Sequence, residues 1–116
     1  MTPDQLWQRY SRIWSADRPT RTVELEACLA STCSYCDVNG MIEGHEALSN
    51  YMEGFQHSVK DSKFRILSVI NHHDRMLAEW QLVGPNDTIL QTGRSFATVT
   101  DDGRLANITG FFDSKA

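Results

Sequence analysis

The sequence predicts one α+β domain, residues 1–116, in which three N-terminal helices pack on one face of a curved sheet, mixed or antiparallel in its pairing. Three observations lead there. Before residue 60, apolar residues recur at helical spacing in three stretches. After Asp61 the period falls to two over four strand-like segments. Short polar turns separate those segments, and short turns join antiparallel neighbours.

Taken in order, Thr2-Pro3-Asp4-Gln5 starts the first helix. Thr2 is the N-cap, Pro3 sits in the first turn where its missing N–H costs nothing, and Gln5 completes a capping box. Leu6, Trp7, Tyr10, Ile13 and Trp14 then form its apolar face, and Asp17-Arg18-Pro19 ends it. A shorter helix is expected over Arg21–Leu29. A strand from Cys33 to Asp37 follows, ending in an acid and breaking into a loop at Asn39-Gly40. The third helix, about Glu43 to Val59, carries Ala47, Leu48, Tyr51, Met52 and Phe55 on one side.

Strands are expected at Phe64–Asn71, Met76–Val83, Ile89–Thr100 and Arg104–Phe112, with turns at His72-His73-Asp74, Gly84-Pro85-Asn86-Asp87 and Asp101-Asp102-Gly103. Alternation assigns the faces. Met76, Ala78, Trp80 and Leu82 share an apolar row, and Ala106, Ile108, Gly110 and Phe112 lie opposite Leu105, Asn107, Thr109 and Phe111. Small residues at Ala78, Gly93, Ala97 and Gly110 fit two arrangements equally: a ligand cavity between sheet and helices, or a packed core with glycines at bulges. Leu77, Val83, Phe96 and Phe111 fall on the outer face, and an exposed apolar sheet face marks an interface, so a homodimer through that face is expected.

Composition narrows the function classes. A net charge of −4 argues against nucleic acid or an anionic membrane surface as partner. No apolar run approaches the roughly 20 residues a membrane span requires. Three cysteines and no leader-like N-terminus fit a reducing cytoplasm, and Cys33-x-x-Cys36 lacks the second pair a zinc ribbon needs. Adjacent His72 and His73 belong to a turn and do not form a metal site, and there is no phosphate loop or dinucleotide fingerprint. The expectation is a protein without cofactor or metal.

Asp37 is the residue on which function turns. At a strand's end, next to an apolar helix, a carboxylate can stand at the mouth of a pocket and exchange protons there. On the residues alone, the simpler reading is that it caps the turn at Asn39-Gly40 through its side chain. The two readings predict different consequences for Asp37→Asn.

The order of elements resembles the nuclear transport factor 2-like superfamily, in particular its SnoaL-like polyketide cyclase and ketosteroid isomerase-like branch. The resemblance covers nearly the whole chain. It is carried by the Gln8-Arg9-Tyr10 helix, Tyr35-x-Asp37, Gly44-x-Glu46-Ala47-Leu48, Asp102-Gly103-Arg104 and the closing Gly110-Phe111-Phe112. It implies a cone-shaped, cystatin-like fold around a small apolar ligand, with dimers the common assembly. Carried over by position, Asp37 stands for the general base and Tyr10 for the oxyanion tyrosine. Ser95 stands where that branch has a protonated acid, a departure that weakens the oxyanion hole. Tyr51 matches an aromatic wall position, and Trp14, Phe55, Trp80, Gly110 and Phe112 complete the expected substrate-binding set. The implied activity is isomerisation or cyclisation by proton transfer next to a carbonyl; a non-catalytic binding or interaction module of the same fold is the alternative.

Overall fold

Three helices and one six-stranded sheet make up the computed structural model, which describes residues 1–113. The helices are α1 (Pro3–Ile13), α2 (Arg18–Cys28) and α3 (His45–Ser58). The strands are β1 (Leu29–Asp37), β2 (Gly40–Glu43), β3 (Lys63–His72), β4 (Arg75–Val83), β5 (Ile89–Val99) and β6 (Leu105–Phe112), in the spatial order β2-β1-β6-β5-β4-β3. Only the β1–β6 pair is parallel, so the sheet is mixed. Among these residues no helix is long and apolar enough to cross a membrane.

Helix α1 begins as its sequence dictates: Thr2 Oγ1 accepts from the Gln5 amide and the Gln5 side chain accepts from the Thr2 amide, closing the capping box. Its apolar stripe of Leu6, Trp7, Tyr10, Ile13 and Trp14 is buried against the sheet. Helix α2 starts earlier than expected. Asp17 does not terminate the first helix into a loop; it caps the second, accepting from the Thr20 amide, and Pro19 occupies its first turn.

Polar staples fix the helix layer. Arg9 forks onto Glu24, with both N···O distances 2.8 Å, joining α1 to α2. Arg21 is buried at 1% exposure and reaches Ser49 Oγ, the Ala16 carbonyl and Glu53, which ties α2 to α3. Helix α3 opens at Gly44, whose φ of 85° suits glycine and strains other residues. His45 Nε2, hydrogen-bonded to the Leu29 and Ala30 carbonyls, pins that end to β1.

The sheet corrects the expected pattern in four places. Strand β1 begins at Leu29, four residues before Cys33, because it runs directly out of α2. The loop at Asn39-Gly40 is the turn of a hairpin, since Gly40–Glu43 pairs with Ser34–Asp37 as β2. Leu105 is fully buried with Ile108 and does not face outward, because a register shift between Thr98 and Val99 makes Ala106 an extra residue. Val83 is 1% exposed and so leaves the exposed outer-face set, buried where the pairing with β5 shifts between Leu82 and Val83.

Close approach decides one glycine. A Cβ on Gly93 would lie 2.4 Å from the Phe111 carbonyl oxygen and 2.5 Å from Trp80 Cζ2, with backbone on one side and a packed indole on the other. Gly93→Ala is therefore expected to lower unfolding free energy by about 1–3 kcal/mol, the usual range for overpacking, read as a reduced midpoint in urea with unchanged slope.

Candidate functional site

The sheet's inner face and the helices enclose a cavity of about 740 Å³. Of the small residues on the central strands, Gly110 lines this space and carries no side chain into it, whereas the room over Gly93 is taken by the Trp80 indole. The cavity is lined by Tyr10, Trp14, Asp37, Tyr51, Phe55, Trp80, Ser95, Gly110 and Phe112, which are all nine residues singled out in the sequence. Trp7, Ser11, Tyr35, Asn39, Asn50, Phe64, Ile66, Leu82, Leu90 and Gln91 line it as well.

Strand pairing explains the convergence. On β1, Cys33, Tyr35 and Asp37 alternate inward. The parallel register sets Tyr35 against Ile108 and Cys36 against Thr109, so Asp37 arrives beside Gly110. Across the next pair, Ser95 stands opposite Gly110. A methyl placed on Gly110 would touch Ser95 Oγ at 3.6 Å, and Asp37 Cβ and the Tyr35 hydroxyl at 3.7 Å. Three polar groups thus meet over one residue that lacks a side chain.

Asp37 holds three neutral donors. Tyr35 donates its hydroxyl to Oδ2 at 2.7 Å, Tyr51 donates to Oδ1 at 2.8 Å, and the Asn39 amide donates to Oδ1 at 2.8 Å. Turn capping and cavity lining, posed above as alternatives, are both present in this geometry. Of the roughly four acceptor positions on a carboxylate, three are used, and the free one is on Oδ2. Among the described residues Asp37 makes no ion pair.

The other polar groups are donors held ready. Burial raises the Tyr10 phenol well above its ordinary pKa of 10.0, partly offset by the Trp14 indole N–H, so Tyr10 stays protonated. The side chain is only 5% exposed and lines the cavity, where its hydroxyl, with the Trp14 indole N–H beside it, keeps its own proton to donate. Ser95 Oγ accepts from Trp80 Nε1 at 3.0 Å, leaving its own proton to donate. Burial, then the neighbouring Tyr10 and the bond to Asp37, push the Tyr35 phenol up; burial and the Asp37 bond do the same for Tyr51.

Trp14 is the hub of the apolar wall, with ring centroids 5.3 Å from Tyr35, 6.1 Å from Tyr51, 5.5 Å from Phe55 and 5.7 Å from Phe64. Phe64 continues to Trp80 at 5.2 Å, and Trp80 to Phe112 at 5.7 Å. The sequence reading gave no role to Tyr35, Asn39 or Phe64. The signal for Tyr35 was present: two residues before Asp37 on one strand, it must share Asp37's face. Among the described residues no group of three or more His, Cys, Asp or Glu could hold a metal ion.

All three tyrosines of the chain have raised pKa values. A phenol raised in the fold stabilises the native state up to the unfolded pKa near 10, and that stability is lost as pH climbs beyond it. Phenolate absorbance at pH 11 should therefore be nearly absent in native protein and full in urea. Unfolding free energy should fall by roughly 1.4 kcal/mol per pH unit above 10 for each of the buried Tyr10 and Tyr35. Normal titration of all three phenols in the folded protein would contradict this geometry.

Comparison with known proteins follows the same lines. A family model for the SnoaL-like domain matches residues 7–108. A crystal structure from Agrobacterium tumefaciens strain C58, provisionally described as an isomerase of the SnoaL-like family, superposes with a TM-score of 0.88 at 20% identity, covering 95% of this chain and 96% of that one. A provisional polyketide cyclase from Sinorhizobium meliloti gives 0.72 at 17% identity, covering 91% and 93%. A provisional ketosteroid isomerase from Kribbella flavida gives 0.71 at 18%, covering 97% and 78%. At these identities the likeness is one of fold. A search of curated proteins finds no match.

Proposed function

Because the chain belongs to the SnoaL-like family, we propose that its cavity takes a small, mainly apolar carbonyl compound and that Asp37 moves a proton beside the carbonyl. Asp37 Oδ2 removes a proton from the carbon next to the carbonyl, the electron pair shifts onto oxygen as an enolate, and Asp37 returns the proton elsewhere on the substrate. Tyr10 is the donor to the enolate oxygen, with Ser95 as a second, weaker one. The observation that carries this reading is the free acceptor position on Oδ2, on a carboxylate held by Tyr35, Tyr51 and the Asn39 amide at the wall of an aromatic cavity. Two of those donors come from different elements, so the carboxylate is oriented before substrate arrives.

Ser95 supports the second reading, a binding module without turnover. A serine hydroxyl donates one hydrogen bond but does not match a buried acid, so an enolate would gain less here. Deuterium exchange at carbons next to the carbonyl, followed by NMR for a panel of apolar cyclic ketones, separates the two. Under the catalytic reading Asp37→Asn abolishes exchange, a loss of about 10²–10⁴-fold, while folding is retained because Asn still accepts from the Asn39 amide. Tyr10→Phe then lowers exchange by about tenfold, the worth of one hydrogen bond. Ketones that bind without exchanging would leave the module reading.

We further propose that two copies pair through the outer sheet face. Phe96 and Phe111 are exposed there at 39% and 62%, and Leu67 and Ile70 at 47% and 64%. Large exposed apolar side chains grouped on one sheet suit a self-complementary interface. Light scattering at micromolar concentration should give the mass of a dimer, and Phe96→Glu should give that of a monomer; a monomeric parent protein would refute the pairing.

A further inference from the structure

The charge of the cavity wall points to more than an apolar ligand. Among the described residues Asp37 is the only ionisable acid or base on the wall besides the phenols, since no Lys, Arg, His or Glu of theirs lines it. The phenols stay protonated, so they contribute no charge. The carboxylate is held by neutral donors alone and has no counter-cation among the described residues. Beside it stand the rings of Trp14, Tyr35 and Tyr51, and aromatic rings attract cations to their faces.

We propose that this cavity binds protonated tertiary amines with an apolar body, the ammonium lying against Asp37. One acceptor position remains on Oδ2, and a tertiary ammonium has one N–H to fill it. Its alkyl groups then meet the rings and need no polar partner. An anion finds no positive side chain here and faces the carboxylate directly, so the cavity discriminates by charge as well as by shape. The inference rests on the cavity being a ligand site, and is independent of whether Asp37 transfers protons.

Three ligands of similar size and different charge test it: N,N-dimethylbenzylammonium, N,N-dimethylbenzamide and phenylacetate, titrated at pH 7 with the Trp14 and Trp80 indole NMR signals as readout. The ammonium should bind at least tenfold tighter than the amide, and phenylacetate should cause no saturable shift. In Asp37→Asn the ammonium's advantage should fall to within twofold, with the indole spectrum itself reporting that the variant is folded. Amide or phenylacetate binding as tight as the ammonium, no saturable ammonium binding, or a preference that survives Asp37→Asn would each overturn the proposal. The comparison within the parent protein stands even if the variant does not fold. Ketone exchange without ammonium preference would overturn this inference and leave the catalytic reading; the reverse result would do the opposite.

Discussion

A carboxylate set against aromatic rings, half out of water, must take part of its solvation from the protein, and the site is built on that requirement. Asp37 takes its solvation from a phenol on its own strand, a phenol on α3 and an amide in the following turn. Each bond is neutral on the donor side, so the negative charge is stabilised without being cancelled. The arrangement also couples three elements: β1, the β1–β2 turn and α3 keep their relative positions because one side chain accepts from all of them. Removing one donor disturbs both the charge and the packing.

An open cavity also needs a reason not to collapse. Apolar walls lose dispersion contacts where no atom fills the space between them, so something else has to hold helices and sheet apart. The Arg9–Glu24 fork and the buried Arg21 network serve that purpose on the side of the helix layer away from the cavity. Such ion pairs contribute little net stability, but the bidentate fork and the buried Arg21 are demanding in geometry. Here they set the spacing of α1, α2 and α3, while α1 and α3 present aromatic residues to the sheet.

The helices and long strands were legible because their periodicity is strong: the row Met76, Ala78, Trp80, Leu82 is buried as alternation requires. Strand β2 was not, since the four residues of Gly40–Glu43, alternately half-buried and exposed, are too short a run to read as a strand without the pairing with β1. Leu105 was misassigned because a bulge at Ala106 resets the inside-outside alternation, and a bulge is a property of two strands together. The site was read through its separate members. Asp37 and Tyr10 were visible as residues, whereas the Tyr51–Asp37 bond joins positions 14 apart through tertiary packing. The Tyr35 bond, by contrast, follows from strand geometry over two residues.

The parallel pairing of β1 with β6 has a consequence for how the chain comes to fold. Strand β1 meets its partner only after about seventy further residues, and Asp37, Gly110 and Ser95 come together only when β6 enters between β1 and β5. Before that, the sheet exists as two pieces, the β1–β2 hairpin and the β3–β5 meander, each presenting an unpaired edge. Closing so long a loop is entropically slow, and exposed edges invite pairing with other chains in the meantime. During synthesis the aromatic wall and its carboxylate therefore remain open to solvent until the last strand has emerged. Substitutions in β6, whose Leu105 and Ile108 are core residues, should thus govern the yield of folded protein as well as its stability.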